Sequence, residues 1–271
     1  MRRAKILIHG LRSVLAFLVP IRFYRNTNGL DVSLTSYGYR IFVVGIAISS
    51  FCHGSRAIRD VYLAIDDEEE ITLLKRVVFF LLQVKGVRII RGPRRGPHAK
   101  YWHYLHSQWN GERSFILIDD DVVYDPGTAD LLCMGAVDAP FNACVRSLCF
   151  QADAQGTKPY RSWPLCTAAG TSPFVFATNV GGVVIRPVFA KKLVELGEGY
   201  QAHCKHADDV WFHWISVRYG MPYSQITPAF RNPTPIPFSQ GGALSGTLNV
   251  AGNDISIRST YSSVDLEAMM K

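Results

Sequence analysis

The chain has 271 residues, a formal charge of +7 and a pI near 9.1, with 48% hydrophobic and 19% charged residues. The absence of any low-complexity stretch excludes a disordered chain or a repeat array, and the length suffices for one large domain or two closely joined lobes. The basic balance suits a polyanionic ligand or an anionic membrane surface. Nucleic acid is not expected, because the basic residues cluster only at the N-terminus and over Arg91 to Lys100, with no nucleic-acid module signature beside them.

Residues 1–27 form a first segment. Ile6, Leu7, Leu11, Val14, Leu15, Leu18 and Ile21 recur at helical spacing behind Arg2, Arg3 and Lys5. His9, Gly10 and Arg12 break the apolar run, which is too short to span a bilayer and lacks a signal-peptide cleavage pattern. Two readings stand: a basic amphipathic helix lying on the inner face of a membrane, with Arg2, Arg3, Lys5, Arg22 and Arg25 near headgroups, or a helix packed on the domain or a partner. The expected location is cytoplasmic, peripheral on the inner membrane face under the first reading.

Four short β-prone runs follow at similar intervals, at Asp31–Leu34, Val61–Ile65, Val87–Ile90 and Phe115–Ile118. Helical stretches over Ile41–His53, Ile71–Gln83 and Tyr101–Trp109 separate them, so βαβ units and a mostly parallel sheet are predicted. Each strand ends in polar residues: Thr35-Ser36-Tyr37, then Asp66-Asp67-Glu68, then the basic Gly/Pro loop Arg91–Lys100, then Asp119-Asp120-Asp121. Ligands of open α/β sheets bind outside the carboxyl ends of the strands, so these four ends describe one cleft.

Three consecutive carboxylates after a buried strand raise one another's pKa unless a metal or basic groups neutralise them, and hard divalent ions take such oxygens. A solvated acidic turn or a helix cap is the alternative. Likewise Thr35 and Ser36 could cap the following helix, and the arginine loop could bind phosphate or simply be solvated.

Beyond residue 140 a strand is expected over Asn142–Phe150, a long loop over Gln151–Pro173, and extended chain, turn and extended chain over Phe174–Arg186, with Gly181-Gly182 at the turn. Helices are predicted from Pro187 to Leu196 and from Asp208 to Tyr219. Residues 226–271 read as irregular, with a Pro-rich connection over Pro228–Pro237 and a flexible point at Gly241-Gly242. The six cysteines have no CxxC spacing and read as reduced core thiols.

Together, Val32-Ser-Leu-Thr-Ser-Tyr-Gly-Tyr-Arg40, Lys100 after its Gly/Pro loop, Ile118-Asp-Asp-Asp-Val-Val-Tyr124, Asn179-Val-Gly-Gly-Val183 and Ala207-Asp-Asp-Val-Trp211 resemble the GT-A class of nucleotide-sugar-dependent glycosyltransferases, most of all the small bacterial enzymes of surface-polysaccharide assembly. The resemblance covers roughly residues 30–225. It implies a GT-A-like α/β fold with a Rossmann-like nucleotide-binding half (28–126) and a smaller acceptor and catalytic half (127–225). It also implies a metal, Mn²⁺ or Mg²⁺, on Asp119 and Asp121, with Asp120 on the ribose or as a further ligand. Thr35, Ser36, Arg40, Asp66 and Lys100 fall on the donor side by the same resemblance, and Gly181 and Gly182 let the chain pass close to donor sugar or acceptor.

In such enzymes an inverting transfer needs a base for the acceptor hydroxyl, which the resemblance places at Asp209, with Asp208 second. The competing reading makes one of the two a helix cap and dipole partner. Trp211 and Trp214 read as core. Two departures from the family pattern stand out: no histidine follows His213 to complete a metal site, leaving His203 or His206 as candidates, and Gly38 stands where similar sequences have proline. The expected reaction moves a hexosyl unit from a nucleotide diphosphate sugar, UDP-linked by preference, to a hydroxyl of a glycan or lipid-linked acceptor. The alternatives are a sugar-nucleotide nucleotidyltransferase, which lacks its Gly-rich run here, and a catalytically inactive carbohydrate-binding or assembly module.

Overall fold

The computed structural model describes residues 2–19, 23, 25–153, 156–228, 233–237, 239 and 247–270, without the side chains of 2–9, 138 and 247–251. The four expected strands are present as β1 (Leu30–Thr35), β2 (Ile58–Asp66), β3 (Val87–Gly92) and β4 (Phe115–Leu117). Helices α1 (Arg2–Leu18), α2 (Val44–Cys52), α3 (Leu73–Val84) and α4 (Ala99–Ser107) precede and connect them. Alternation along the strands splits the core into two layers. Val32, Leu34, Ile116 and Ile118 pack under α2 and α3, while Phe115 and Leu117 face α4 and the helix Asp208–Arg218. Thr72 starts α3, its hydroxyl accepting from the Lys75 N–H, and Gly86 stops it at φ +94, a left-handed conformation that favours glycine.

The central sheet has eight strands in the order Gly170–Ser172, Tyr223–Gln225, Ala143–Cys144, Val183–Ile185, β4, β1, β2, β3. β4, β1, β2 and β3 are all parallel, and Val183–Ile185 runs antiparallel to β4. This is the α/β, mostly parallel architecture expected. Because β1 lies between β2 and β4, the chain builds outward to β3 and then returns to β4 on the other side. That reversal opens a crevice at the carboxyl ends of β1 and β4.

Three expectations are corrected. The single strand over Asn142–Phe150 is two: Ala143–Cys144 joins the central sheet, whereas Ser147–Cys149 pairs with Val175–Ala177 in a separate ladder. The C-terminal segment is not irregular where it is described from residue 247 on, since Thr247–Thr260 and Ser263–Met270 are helices, and Ile257, Tyr261 and Met269 enter the core layer of helix Asp208–Arg218. Arg25, assigned to headgroups, instead pairs with the buried Asp60 at 2.7 Å. Arg22 and the Gly241-Gly242 point lie outside the described residues, as do the side chains of Arg2, Arg3 and Lys5. All six cysteines are free thiols, four of them buried.

Helix α1 is packed on the domain along one face. Phe17 lies so close over α2 that a Cβ on Gly45 would stand 2.2 Å from its ring, and the buried Lys85 ammonium donates to the carbonyls of Ala16 and Val19. Among the described residues no helix is long and apolar enough to cross a membrane.

Two buried histidines make stability pH-dependent. His98 is held between the Tyr101 hydroxyl and the Cys204 carbonyl, both at 3.0 Å, and His213 between the Tyr261 hydroxyl at 2.6 Å and the Pro173 carbonyl at 2.9 Å. Burial pushes both imidazoles down to about 3. The unfolded chain, with histidines near 6.5, binds more protons in between, so stability is complete above pH 6.5 and is lost as pH falls toward 3. Between pH 7 and 4.5 each histidine is expected to remove about 2–3 kcal/mol. In urea titrations His213→Gln should lose less stability over that range than the wild type; an equally steep loss overturns the assignment.

Candidate functional site

The crevice is the mouth of a cavity of about 1320 Å³. One wall carries the strand-end residues Thr35, Asp66, Lys100 and Asp119 to Asp121. The facing wall carries Arg146, Thr178, Asn179, Asp208 and Asp209. All four polar strand ends predicted to form one cleft reach this cavity.

The acidic triplet is anchored from behind. The Tyr124 hydroxyl accepts from the Asp119 N–H at 2.8 Å, and the Asp121 carbonyl accepts from the Ile236 N–H at 2.8 Å and from the Ser239 hydroxyl at 3.2 Å. Thr234–Pro235 pairs with Val122–Val123, so the C-terminal segment holds the triplet in place. An acidic turn would leave these carboxylates in solvent, yet Asp120 is buried. Its desolvation pushes the carboxyl up to about 6 against the opposing pull of Arg40.

Two cations answer the triplet. The Arg40 guanidinium meets Asp120 at 3.0 Å and Asp121 at 2.8 Å. Lys100, buried, places its ammonium 2.6 Å from Asp119 and 3.0 Å from Asp208, joining the two walls. Burial opposes its charge, but Asp119, Asp208 and Asp209 more than offset that and raise its pKa. Its backbone is pinned as well, since the Ser33 hydroxyl of β1 donates to the Lys100 carbonyl at 2.5 Å.

Asp208 and Asp209 open the helix Asp208–Arg218, whose dipole favours them. Neither caps it, because the N-cap is Ala207, without a side-chain bond. Both carboxylates turn toward Asn179 instead: its amide NH₂ donates to Asp208 at 2.7 Å and its backbone N–H to Asp209 at 3.1 Å. Desolvation, then the Asp208 charge, raises the Asp209 pKa well above the carboxylate range, with Lys100 pulling the other way.

Thr35 lines the cavity, its hydroxyl donating to the Ala64 carbonyl at 3.0 Å, while Ser36 is buried behind the wall. Neither is a helix cap, since Tyr37 occupies that position. Gly38 takes φ +58 and donates its N–H to Glu69 at 3.0 Å, two things a proline cannot do. Asp66 keeps a buried carboxyl oxygen, Oδ1, without a hydrogen-bond partner at the cavity wall, and burial raises its pKa against the pull of Arg94.

In the basic loop, Arg94 and Arg95 reach the cavity. Arg95 pairs with Glu198 at 2.5 Å and stacks over Trp102 at 4.9 Å, so its guanidinium is held in place. Arg91 instead bonds the Asp67 carbonyl at 2.7 Å.

Gly181 and Gly182 stand off the cavity wall. A Cβ on Gly181 would meet the Arg146 Cβ at 2.4 Å, and one on Gly182, which stands at φ +87, would meet Leu132 of the core at 2.7 Å. The glycines therefore serve close packing, and the residue this brings to the cavity is Arg146, which donates to Thr178 at 2.5 Å. Sequence reading missed Arg146 because it sits where the chain leaves one ladder for the other, a switch no local pattern marks. Trp211 is core, stacked on Trp214 at 5.0 Å.

Asp119 and Asp121 offer hard carboxylate oxygens of the kind Mg²⁺ and Mn²⁺ accept. Among the described residues no three His, Cys, Asp or Glu converge on one point. His203 is exposed and bonds Ser259, whereas His206 lies on the cavity wall. One or two carboxylates supplemented by water and ligand phosphates is an ordinary Mg²⁺ arrangement, so the donor set fits a divalent ion shared with a nucleotide.

No family model matches the chain. No curated protein matches it either. Among solved structures, a TarS fragment from S. aureus in complex with UDP is 11% identical over 76% of this chain and 59% of that one, with a TM-score of 0.49. A CMP:2-keto-3-deoxy-manno-octonic acid synthetase complexed with CTP is 13% identical over 73% of this chain and 88% of its own, with a TM-score of 0.44. The 4-diphosphocytidyl-2C-methyl-D-erythritol synthase of Anaerococcus prevotii is 9% identical over 63% and 78%, with a TM-score of 0.40. At these similarities the functional reading rests on the cavity's own residues.

Proposed function

We propose that this protein is a GT-A-type glycosyltransferase that moves a sugar from a nucleotide diphosphate sugar, UDP-linked by preference, to a hydroxyl of a glycan or lipid-linked acceptor, with inversion. The observation that carries this reading is the Lys100 ammonium in contact with both Asp119 and Asp208, which sets a donor-side carboxylate and an acceptor-side carboxylate pair across one cavity.

On the donor side, the unpartnered Asp66 oxygen suits a base N–H, Thr35 lies beside it for the nucleoside, and Arg94 and Arg95 stand on the rim for phosphate. Asp119 and Asp121 would hold Mn²⁺ or Mg²⁺ together with the donor diphosphate. When bound, the ion stabilises negative charge on the departing diphosphate as a Lewis acid. Arg40 keeps Asp120 and Asp121 oriented.

On the acceptor side, Asp209 takes the proton of the acceptor hydroxyl as the oxygen bonds to the anomeric carbon and the bond from that carbon to the diphosphate breaks. The raised pKa makes its carboxylate a stronger base than an ordinary aspartate, and the Asn179 N–H fixes its direction.

The decisive experiment screens nucleotide sugars for Mn²⁺-dependent hydrolysis and transfer, with the product anomer assigned by NMR. Release of nucleoside diphosphate is expected, with Asp121→Ala losing about 10²-fold or more at saturating Mn²⁺. Near-normal turnover of that variant rules out the metal assignment. Pyrophosphate release from a nucleoside triphosphate and a sugar phosphate would select the nucleotidyltransferase reading, and no nucleotide-sugar binding at all would select the inactive module.

A further inference from the structure

Helix α3 is apolar on two opposite sides. Val78, Phe79 and Leu82 enter the core, as its connecting role requires. Leu73, Val77, Phe80 and Val84, at i, i+4, i+7 and i+11, form a second stripe facing solvent with 76%, 50%, 64% and 36% of their surface exposed. A helix hydrophobic all round is normally buried all round. Helix α1 repeats the pattern: Ser13 and Phe17 face the domain, whereas Leu11, Leu15 and Leu18 stand 60%, 54% and 57% exposed. The two helices are tied at one corner by Lys85, which follows α3 and donates to the α1 carbonyls of Ala16 and Val19.

Charge selects among the surfaces that could cover these stripes. The α1 sequence holds Arg2, Arg3, Lys5 and Arg12, the α3 sequence holds Lys75 and Arg76, and neither contains an Asp or Glu. Arg12 and Arg76 are exposed beside the stripes. In the acidic run before α3, Glu69 pairs with Lys75 at 2.5 Å and Asp67 and Glu68 with Arg91 and Arg94, which leaves Glu70 exposed just ahead of the helix. Along the two helices themselves every charged residue is basic, and apolar stripes carried on helices of that kind are the pattern of a face seated at an anionic lipid interface. A self-complementary protein contact would need acidic groups to meet those arginines.

We infer that α1 and α3 together form a docking face for an anionic membrane surface, with both stripes in the acyl boundary and Arg12 and Arg76 at the headgroups. Glu68 and Glu69, which line the cavity, precede the stripe in the chain by four to five residues. The inference needs no sugar transfer and stands apart from the proposed activity.

The test floats the full chain with phosphatidylcholine vesicles carrying roughly 30% phosphatidylglycerol, and with phosphatidylcholine alone. The wild type should partition to the anionic vesicles. Val77→Glu/Phe80→Glu and Leu11→Glu/Leu15→Glu should each lose about tenfold or more in partitioning while melting as the wild type does, since the altered positions lie outside the core. Loss with the α1 variant alone overturns the two-helix face. So does a wild type that ignores vesicles, whether light scattering finds it monomeric or finds a dimer that Val77→Glu/Phe80→Glu disperses, the latter meaning that a second copy covers the stripes.

Discussion

Replacing Asp209 by asparagine is expected to lower the rate of sugar transfer about 10²- to 10⁴-fold while nucleotide-sugar affinity changes little. The amide still accepts the Asn179 N–H and keeps the local geometry, but it cannot take a proton. In the wild type the base works only when ionised, so activity should rise with pH through the Asp209 pKa, which burial and the Asp208 charge hold well above the carboxylate range. Asp209→Asn should lose that acid limb. Initial rates from pH 5 upward, with donor binding measured by calorimetry, check both parts. A variant keeping more than about a tenth of wild-type turnover moves the base elsewhere, with Asp208 the next residue to test.

Lys100→Met is expected to have the largest effect on stability. The substitution roughly conserves volume but leaves Asp119 and Asp208 in a buried site without their shared cation. Breaking a buried ion pair in this way costs about 3–5 kcal/mol, or a fall of about 10 °C in Tm for a chain of this size. The sign with pH follows. Lys100 also pulls the Asp209 carboxyl down against burial and the Asp208 charge, so without it native Asp209 binds a proton still more readily than the unfolded chain does, and the deficit should be greatest near neutrality and shrink as pH falls toward 5. Thermal melts at both pH values measure it, and a Tm within about 2 °C of the wild type at pH 7 would show that Lys100 does not join the two walls. Lys100→Arg is not an equivalent replacement, because a guanidinium presents its donors in a fixed planar fork where the ammonium is a compact point charge between two carboxylates.

The parallel half of the fold was legible because its signals are local. Apolar pairs such as Val32 and Leu34 alternate at the strand period, and Pro187 and the Asp208-Asp209 pair mark the helix starts where they were placed. Residues 247–270 were not legible as helices because their apolar side chains gather on no clear helical stripe, and Ile257, Tyr261 and Met269 find their partners in the layer of helix Asp208–Arg218, far away in the chain. The Gly181-Gly182 pair misled for a related reason. A glycine reports that something comes close, and only packing says that it is Arg146 and Leu132 rather than a ligand.

By itself the sequence determined the period of each element and the residue types at the strand ends, because both depend on neighbours a few positions apart. Tertiary structure alone decided which groups meet. The return of the chain past β1 to β4 brings Lys100 between Asp119 and Asp208, turns Asp208 and Asp209 from cap candidates into Asn179 partners, and gives Arg40 to the triplet. It also leaves Leu73, Val77, Phe80 and Val84 uncovered on a helix whose pattern alone reads as fully buried. Charge pairing and burial act through space across separations such as the 108 positions between Lys100 and Asp208, and local periodicity carries no record of them.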